Sequence, residues 1–128
     1  MPAPYSPSQI GHAYLDRGYR SFEAITSLNA YTLVKVSTGD AITACDETEQ
    51  PVGVLHQAAA QGDEVLVALL SKVGTVRIKT AGAITRGTRV YGVDDGLVAD
   101  AVGSSRVCIG IALEAATAAG DVVEVMPL

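Results

Sequence analysis

The residue types that usually carry catalysis are present in this chain, but none stands at the spacing that a known catalytic motif requires. None of the 13 glycines lies two positions from another, so the Gly-x-Gly-x-x-Gly fingerprint of dinucleotide binding is absent. Gly82 and Gly87 have the separation of a phosphate-binding loop, but Thr88 follows where that loop needs lysine. Ser104 and Ser105 lack the glycines of a nucleophile elbow. We therefore predict that the chain is not an enzyme and has no catalytic residues.

Candidate metal ligands are dispersed along the chain. His12 and His56 are far from each other, whereas zinc sites place their ligands at short, fixed spacings. The acidic residues Asp46, Glu47 and Glu49 do not follow the pattern of a calcium-binding loop. We expect neither a metal site nor a bound cofactor.

Composition limits the remaining classes of function. The 128 residues are 48% hydrophobic but include no Trp and one Phe, so the core must be aliphatic. Nine basic residues against fourteen acidic ones give a net charge of −5, which disfavours a nucleic-acid groove. No apolar run reaches the roughly 18–20 residues of a membrane span, and the N-terminus does not have the pattern of a secretory signal. Cys45 and Cys108 form no Cys-x-x-Cys pair, which is consistent with synthesis in a reducing cytoplasm.

The N-terminal residues differ from the rest of the chain. Residues 1–20 hold three of the five prolines and three of the five tyrosines, and they contain few aliphatic residues. Proline fixes φ and removes a backbone donor, so we predict an extended arm at 1–20 before a β-domain at 21–128. A mobile tail and an arm that docks on a neighbouring molecule both fit this composition. The candidate contact residues of the arm are Pro4, Tyr5, Ile10, Tyr14 and Tyr19.

From residue 31 onward the sequence predicts an all-β fold, a small β-barrel or a β-sandwich-like domain. Short runs rich in Val and Ile alternate with Gly, Asp and Thr, the pattern of strands joined by turns. Asp94, Asp95 and Gly96 stand between two such runs and predict a hairpin turn. The predicted strands are 31–37, 52–56, 64–70, 73–79, 89–93, 97–100, 107–113 and 121–126.

Two further patterns concern the chain as a whole. Gly-Val-Leu at 53–55 and the run at 62–67 recur as Gly-Ile-Ala at 110–112 and the run at 120–125, which predicts an internal repeat. Residues 38–43 also resemble residues 80–85. Between positions 36 and 71 there are six acidic residues and no Lys or Arg, whereas 72–106 holds six basic residues against three acidic ones. Two interpretations fit this division: an ordinary solvated mixture of charges, or a molecule with an acidic face and a basic face, suited to self-association or docking.

The order of these motifs resembles the small capsid decoration, or cement, proteins of tailed bacteriophages. The resemblance covers residues 51–128, and each motif is short and rich in common residues, so their order carries the specificity. The matching segments are Val-Gly-Val-Leu at 52–55, Ala-Gln-Gly-Asp-Glu-Val at 60–65, Thr-Ala-Gly-Ala-Ile-Thr at 80–85, Gly-Thr-Arg-Val-Tyr at 87–91, Asp-Gly-Leu-Val at 95–98, Ile-Gly-Ile-Ala-Leu-Glu-Ala-Ala at 109–116 and Ala-Gly-Asp-Val-Val-Glu-Val at 119–125.

The resemblance implies a non-enzymatic virion protein. Such proteins are small all-β domains that bind the outside of the major capsid protein lattice, commonly as trimers. Two other functions stay open at this point. One is an oligomeric β-barrel enzyme with a site shared between subunits. The other is a surface-binding module, which is disfavoured because such modules usually present aromatic platforms and the β-domain has only Tyr31 and Tyr91.

Overall fold

The computed structural model describes residues 18–71, 74–103 and 105–128, and these residues form two successive units of five strands each. In the first unit the strands pair in the order β1-β3-β2-β4-β5 and close into a barrel, called here the first barrel. In the second unit they pair in the order β6-β10-β9-β7-β8, called here the second sheet. The strands are β1 (Tyr19–Ala24), β2 (Thr32–Val36), β3 (Ala41–Ala44), β4 (Gly53–Leu55), β5 (Glu64–Leu69), β6 (Val76–Lys79), β7 (Arg89–Val93), β8 (Leu97–Ala99), β9 (Cys108–Ala112) and β10 (Val122–Pro127).

The first barrel forms because each of its strands turns buried hydrophobic side chains inward. Phe22 on β1 lies opposite Val65 on β5, and both point into the barrel, whereas their neighbours Glu23 and Glu64 are exposed. This is the period of two that a half-buried strand requires. β1 closes the barrel by pairing antiparallel with β5 and parallel with β3. The buried core residues are Phe22, Ala24, Leu28, Val34, Ile42, Leu55, Ala59, Val65 and Val67.

The second sheet repeats the strand pairing of the first barrel, strand for strand. β6 pairs with β10, β10 with β9, β9 with β7 and β7 with β8, all antiparallel. Its outer strands also approach each other, through a parallel bridge between Thr80 and Val98. That bridge occupies the position of the parallel pair Ala24–Ile42 in the first barrel. The chain is therefore a tandem repeat of one five-stranded unit.

The hydrogen bonds of the connecting loops repeat as well. Leu28 and Ala59 exchange both backbone hydrogen bonds, at 2.8 and 2.9 Å, and Ile84 and Ala116 do the same at 2.9 Å. The following turns each contain a glycine at positive φ, 90° at position 62 and 91° at position 120, a conformation that favours glycine. The predicted repeat of 53–67 with 110–125 is thus confirmed.

The second predicted equivalence, between residues 38–43 and 80–85, is wrong. Ile42 lies on β3 and corresponds to Val98 on β8, because both receive the parallel bridge from the first strand of their unit. Ile84 corresponds instead to Leu28, since both make the loop bridge described above. The two segments share small residues and threonines but differ in their place in the fold.

The two units share a core that is separate from the interior of the first barrel. Leu33, Val54 and Ala68 point out of the first barrel, yet they are at most 1% exposed because they pack with the interior residues of the second sheet. Gly92 and Gly96 on the second unit lie directly against Leu33, so that a methyl group at either position would meet it. Burying aliphatic side chains of this size stabilises by about 1.5–3 kcal/mol each. The first barrel therefore completes the core of the second sheet.

The all-β prediction is confirmed. Seven of the eight predicted strands contain a strand of the structure, and the eighth, 121–126, overlaps β10, which ends one residue later at Pro127. The hairpin at Asp94 to Gly96 is also present, as a 3₁₀ turn between β7 and β8. Two strands were not predicted, β1 and β3. β1 begins at Tyr19 and so includes the last two residues of the segment assigned to the arm.

Gly110, which lies where two paired strands approach each other closely, gives the first testable prediction. A Cβ on Gly110 would lie 2.1 Å from the backbone oxygen of Met126, whereas a Cβ on Gly82 would meet nothing within 4 Å. We expect Gly110→Ala to lower the free energy of unfolding by about 1–3 kcal/mol, because the paired strand must move. Gly82→Ala should change it by less than about 1 kcal/mol. Urea denaturation of both variants tests this, and equal stabilities would contradict the assigned strand pairing.

Candidate functional site

The predicted arm meets the structure at β1. Pro4, Tyr5, Ile10 and Tyr14 lie outside the described residues. Tyr19 is the first residue of β1, half-buried, and packs against the core shared by the two units. Of the five candidate contact residues, Tyr19 is therefore the one whose packing within the β-domain is described.

A second feature joins the two units at the loop after β3. The amide of Glu47 donates to Oδ1 of Asp94 at 3.1 Å, and the amide of Asp95 donates to Oδ1 of Asp46 at 3.0 Å. The amide of Gly96 donates to the carbonyl oxygen of Cys45 at 2.8 Å. We call this reciprocal set of hydrogen bonds the inter-unit clasp. It uses the acidic residues of both loops as caps for backbone donors.

Glycine is required at one position of the clasp. Gly96 has φ of 72°, and a Cβ there would lie 2.4 Å from Cγ2 of Thr32. Strand β2 thus lies so close to the 3₁₀ turn that a side chain at this position would overlap it.

An ion pair and a buried thiol lie under the clasp. Nζ of Lys35 donates to Oε2 of Glu49, and this hydrogen bond raises the pKa of Lys35 and lowers that of Glu49. Burial raises the pKa of the neighbouring Cys45 thiol to about 11. The loop is therefore held by charge on its outer side and by apolar packing on its inner side.

The outer surfaces of the two units carry different residues. On the first barrel Glu23 lies directly opposite Glu64, with Leu66 beyond it on the same face. On the second sheet a row runs across three strands, from Arg89 through Ile111 to Met126. The four ion pairs found within the described residues involve Arg20, Lys35, Arg77 and Arg106, so Arg89 is in none of them.

Composition alone did not identify these two surfaces. The internal repeat carried the signal that could have found the second one, because it aligns Ile111 with the buried Val54. Val54 is buried, whereas the equivalent Ile111 is partly exposed. An apolar residue exposed at such a position indicates a candidate interaction surface.

Chemical sites are sparse in the described part of the chain. Among residues 18–71, 74–103 and 105–128, no three His, Cys, Asp or Glu side chains are grouped so that they could hold a metal ion. No helix within these ranges has the length and hydropathy that a membrane crossing needs. The acidic residues considered as calcium ligands, Asp46, Glu47 and Glu49, bind backbone amides and cations of the protein itself.

Comparison with known proteins identifies the family. A family model described as phage cement protein matches residues 21–127. The chain belongs to the phage cement protein family. The match covers both units, so the tandem repeat as a whole is the family's domain. It also confirms the family indicated by the order of the sequence motifs.

A solved structure supports the fold of this cement protein. The head fiber gp8.5 N base of bacteriophage phi29 matches with a TM-score of 0.72 at 23% sequence identity. The alignment covers 86% of this chain and 92% of that chain. A comparison with curated proteins gives no match. The family assignment makes the chain a capsid-associated structural component of a phage virion.

The buried thiol gives a prediction for the clasp of this cement protein. With a pKa of about 11, only about one Cys45 thiol in a thousand is ionised at pH 8. We expect a thiol reagent at that pH to label Cys108, which is half-buried on β9, while Cys45 stays unlabelled in the native protein. Asp94→Ala removes one clasp acceptor and should speed labelling of Cys45 at least roughly ten-fold by local opening.

Peptide mass analysis of the labelled protein separates the two cysteines. The labelling rate of Cys108 serves as the internal control and should stay unchanged in the variant. Equal labelling of Cys45 with and without Asp94→Ala would contradict a role of the clasp in holding the loop.

Proposed function

We propose that this cement protein is a non-enzymatic decoration protein that binds the outside of the major capsid protein lattice as a homotrimer and stabilises the phage head. The observation that carries the proposal is the family match over residues 21–127. The architecture supports it, because side chains of both units pack into a shared aliphatic core that fixes the positions of their outer surfaces.

The physical effect of such a protein is linkage between binding and stability. A ligand that binds only the assembled lattice stabilises it by about 2.7 kcal/mol per site at 100 times its dissociation constant, and by about 4.1 kcal/mol at 1,000 times. Several contacts from one trimer strengthen the attachment further, since the second and third contacts are intramolecular. No covalent chemistry is needed for this effect.

Capsids with and without the protein test the stabilising role. Capsids purified without the protein and then saturated with it should release their DNA at a higher temperature than undecorated capsids. The control is the same capsid with an unrelated small acidic protein at equal concentration. Equal release temperatures at full and zero occupancy would remove the stabilising function, and failure to bind any capsid would remove the decoration function.

The N-terminal residues are proposed as the arm that holds the capsid, through Pro4, Tyr5, Ile10, Tyr14 and Tyr19. Tyrosine offers a large contact area at a low cost in conformational entropy. Tyr19 also packs against the shared core from β1, so the residues before it are the part of the arm proposed to act in attachment alone.

Deleting residues 1–17 tests the arm and leaves β1 intact. We expect the melting temperature of the free protein to change little, while occupancy on capsids falls at least about ten-fold. Tyr5→Ala and Tyr14→Ala should each lower occupancy in the same direction. Val102→Ala is the control, because it removes an exposed apolar side chain of the β-domain. Unfolding on deletion would show that these residues belong to the core instead.

A further inference from the structure

The tandem repeat places one surface of the second sheet where the first barrel has an interface. Gly53 and Gly110 occupy equivalent positions in the two units. Each lies on the fourth strand of its unit, opposite a residue of the second strand, and in close contact with the backbone of the fifth strand. The residues beside them correspond in turn. Leu33, Val54 and Ala68 of the first barrel match Arg89, Ile111 and Met126 of the second sheet.

The two equivalent rows differ in what covers them. The first row is buried under the second sheet, whereas Arg89 is exposed, Ile111 is partly exposed and Met126 is 41% exposed. A single exposed apolar residue on a protein surface needs no explanation. Here, however, Ile111 and Met126 are cross-strand partners, and the equivalent row of the first barrel is covered by the second sheet.

The positive charge of Arg89, at the end of the row with Ile111 and Met126, limits the kind of surface that can bind there. Arg89 pairs across the strands with Ile111 and forms no ion pair with any described residue. A guanidinium beside an apolar pair fits a surface that offers carboxylates next to an apolar side chain.

The chain itself carries such a surface. On the outer face of β1 and β5, Glu23 lies directly opposite Glu64, and Ser21 lies opposite Leu66, which is 47% exposed. Like charges directly opposite on neighbouring strands are destabilising. A cation placed between the two glutamates would relieve that repulsion, and Leu66 stands next to them for apolar contact.

We propose that the outer face of the second sheet, at Arg89, Ile111 and Met126, packs against the outer face of β1 and β5, at Glu23, Glu64 and Leu66, of a second copy of this chain. The contact is heterologous, because the two surfaces are different patches of the same protein. Heterologous contacts generate rings when the rotation closes. The number of copies in the ring, three, rests on the proposed function. The choice of the two surfaces rests on the strand register and on the charges of their residues.

The contact has the properties of an interface between subunits that fold separately. Each face offers apolar side chains beside charge, so neither leaves a large apolar patch on the free chain. The opposite charges fix how the two copies align, and they disfavour contacts in which two basic faces or two acidic faces meet. The acidic first half and the more basic second half of the sequence are thereby brought into contact between copies.

Charge exchange tests this contact directly. The wild-type chain at 100 μM should have a mass near three copies of 13.2 kDa by size-exclusion chromatography with light scattering (3 × 13.2 = 39.6). Arg89→Glu and Glu64→Lys each place like charges in contact, so each should raise the dissociation constant of the oligomer at least about ten-fold. The double variant restores an opposite pair in every contact and should recover most of the wild-type association.

Arg86→Glu is the matched control, since it makes the same change in net charge at an exposed position outside the row. It should change the dissociation constant by less than about three-fold, and circular dichroism checks that each variant is folded. A wild-type chain that stays a monomer, single variants that assemble normally, or a double variant that fails to recover would each overturn the proposed contact.

Capsid binding is measured separately on the same variants. A chain whose assembly follows the charges but which binds no capsid would leave the contact in place and remove the decoration function. A chain that binds capsids with its assembly indifferent to these charges would leave the function in place and remove the contact.

Discussion

The architecture depends on one packing arrangement, in which side chains on the outside of the first barrel form part of the core of the second sheet. Leu33, Val54 and Ala68 are almost completely buried there, although an isolated first barrel would expose all three. The outer strands of the second sheet meet at one bridge, at Thr80 and Val98, so that unit gains much of its closure from its neighbour. The inter-unit clasp follows from the same contact, because it lies where the loop after β3 reaches the β7–β8 hairpin.

Duplication explains why the interiors agree and the exteriors differ. Corresponding interior positions are hydrophobic or small in both units, although their size changes at some of them, as from Leu55 to Ala112. Thr80 replaces Ala24 at one of them, and its hydroxyl donates to the carbonyl oxygen of Ala118 at 3.3 Å, which satisfies the buried polar group. The outer faces have no such restriction. The outer face of the first barrel forms the contact between the units, and the outer face of the second sheet carries apolar residues beside a cation.

The fold was predictable where local pattern determines it, and the sites were predictable only in part. Strands rich in Val and Ile were found because alternation and turn residues mark them. β3 is four residues of small and mixed character, and β1 has its hydrophobic side formed by Phe22 and Ala24 alone. Both strands exist because of pairing with distant segments, which a local pattern does not contain. The family emerged from the order of the motifs, but the exposure of Ile111 and Met126 depends on what packs against each unit.

The distribution of apolar and charged groups on this cement protein limits association to particular surfaces. The net charge of −5 opposes indiscriminate association of free chains. On the two outer faces described above, Ile111 lies opposite Arg89, and Leu66 lies on the same face as Glu64. A single contact of this kind contributes more to the specificity of association than to its affinity. Strength then comes from number, because copies joined to each other and to the capsid at the same time lose attachment only when several contacts open together. The core that the two units share fixes the relative positions of their outer surfaces, and a structural component of a virion depends on those positions.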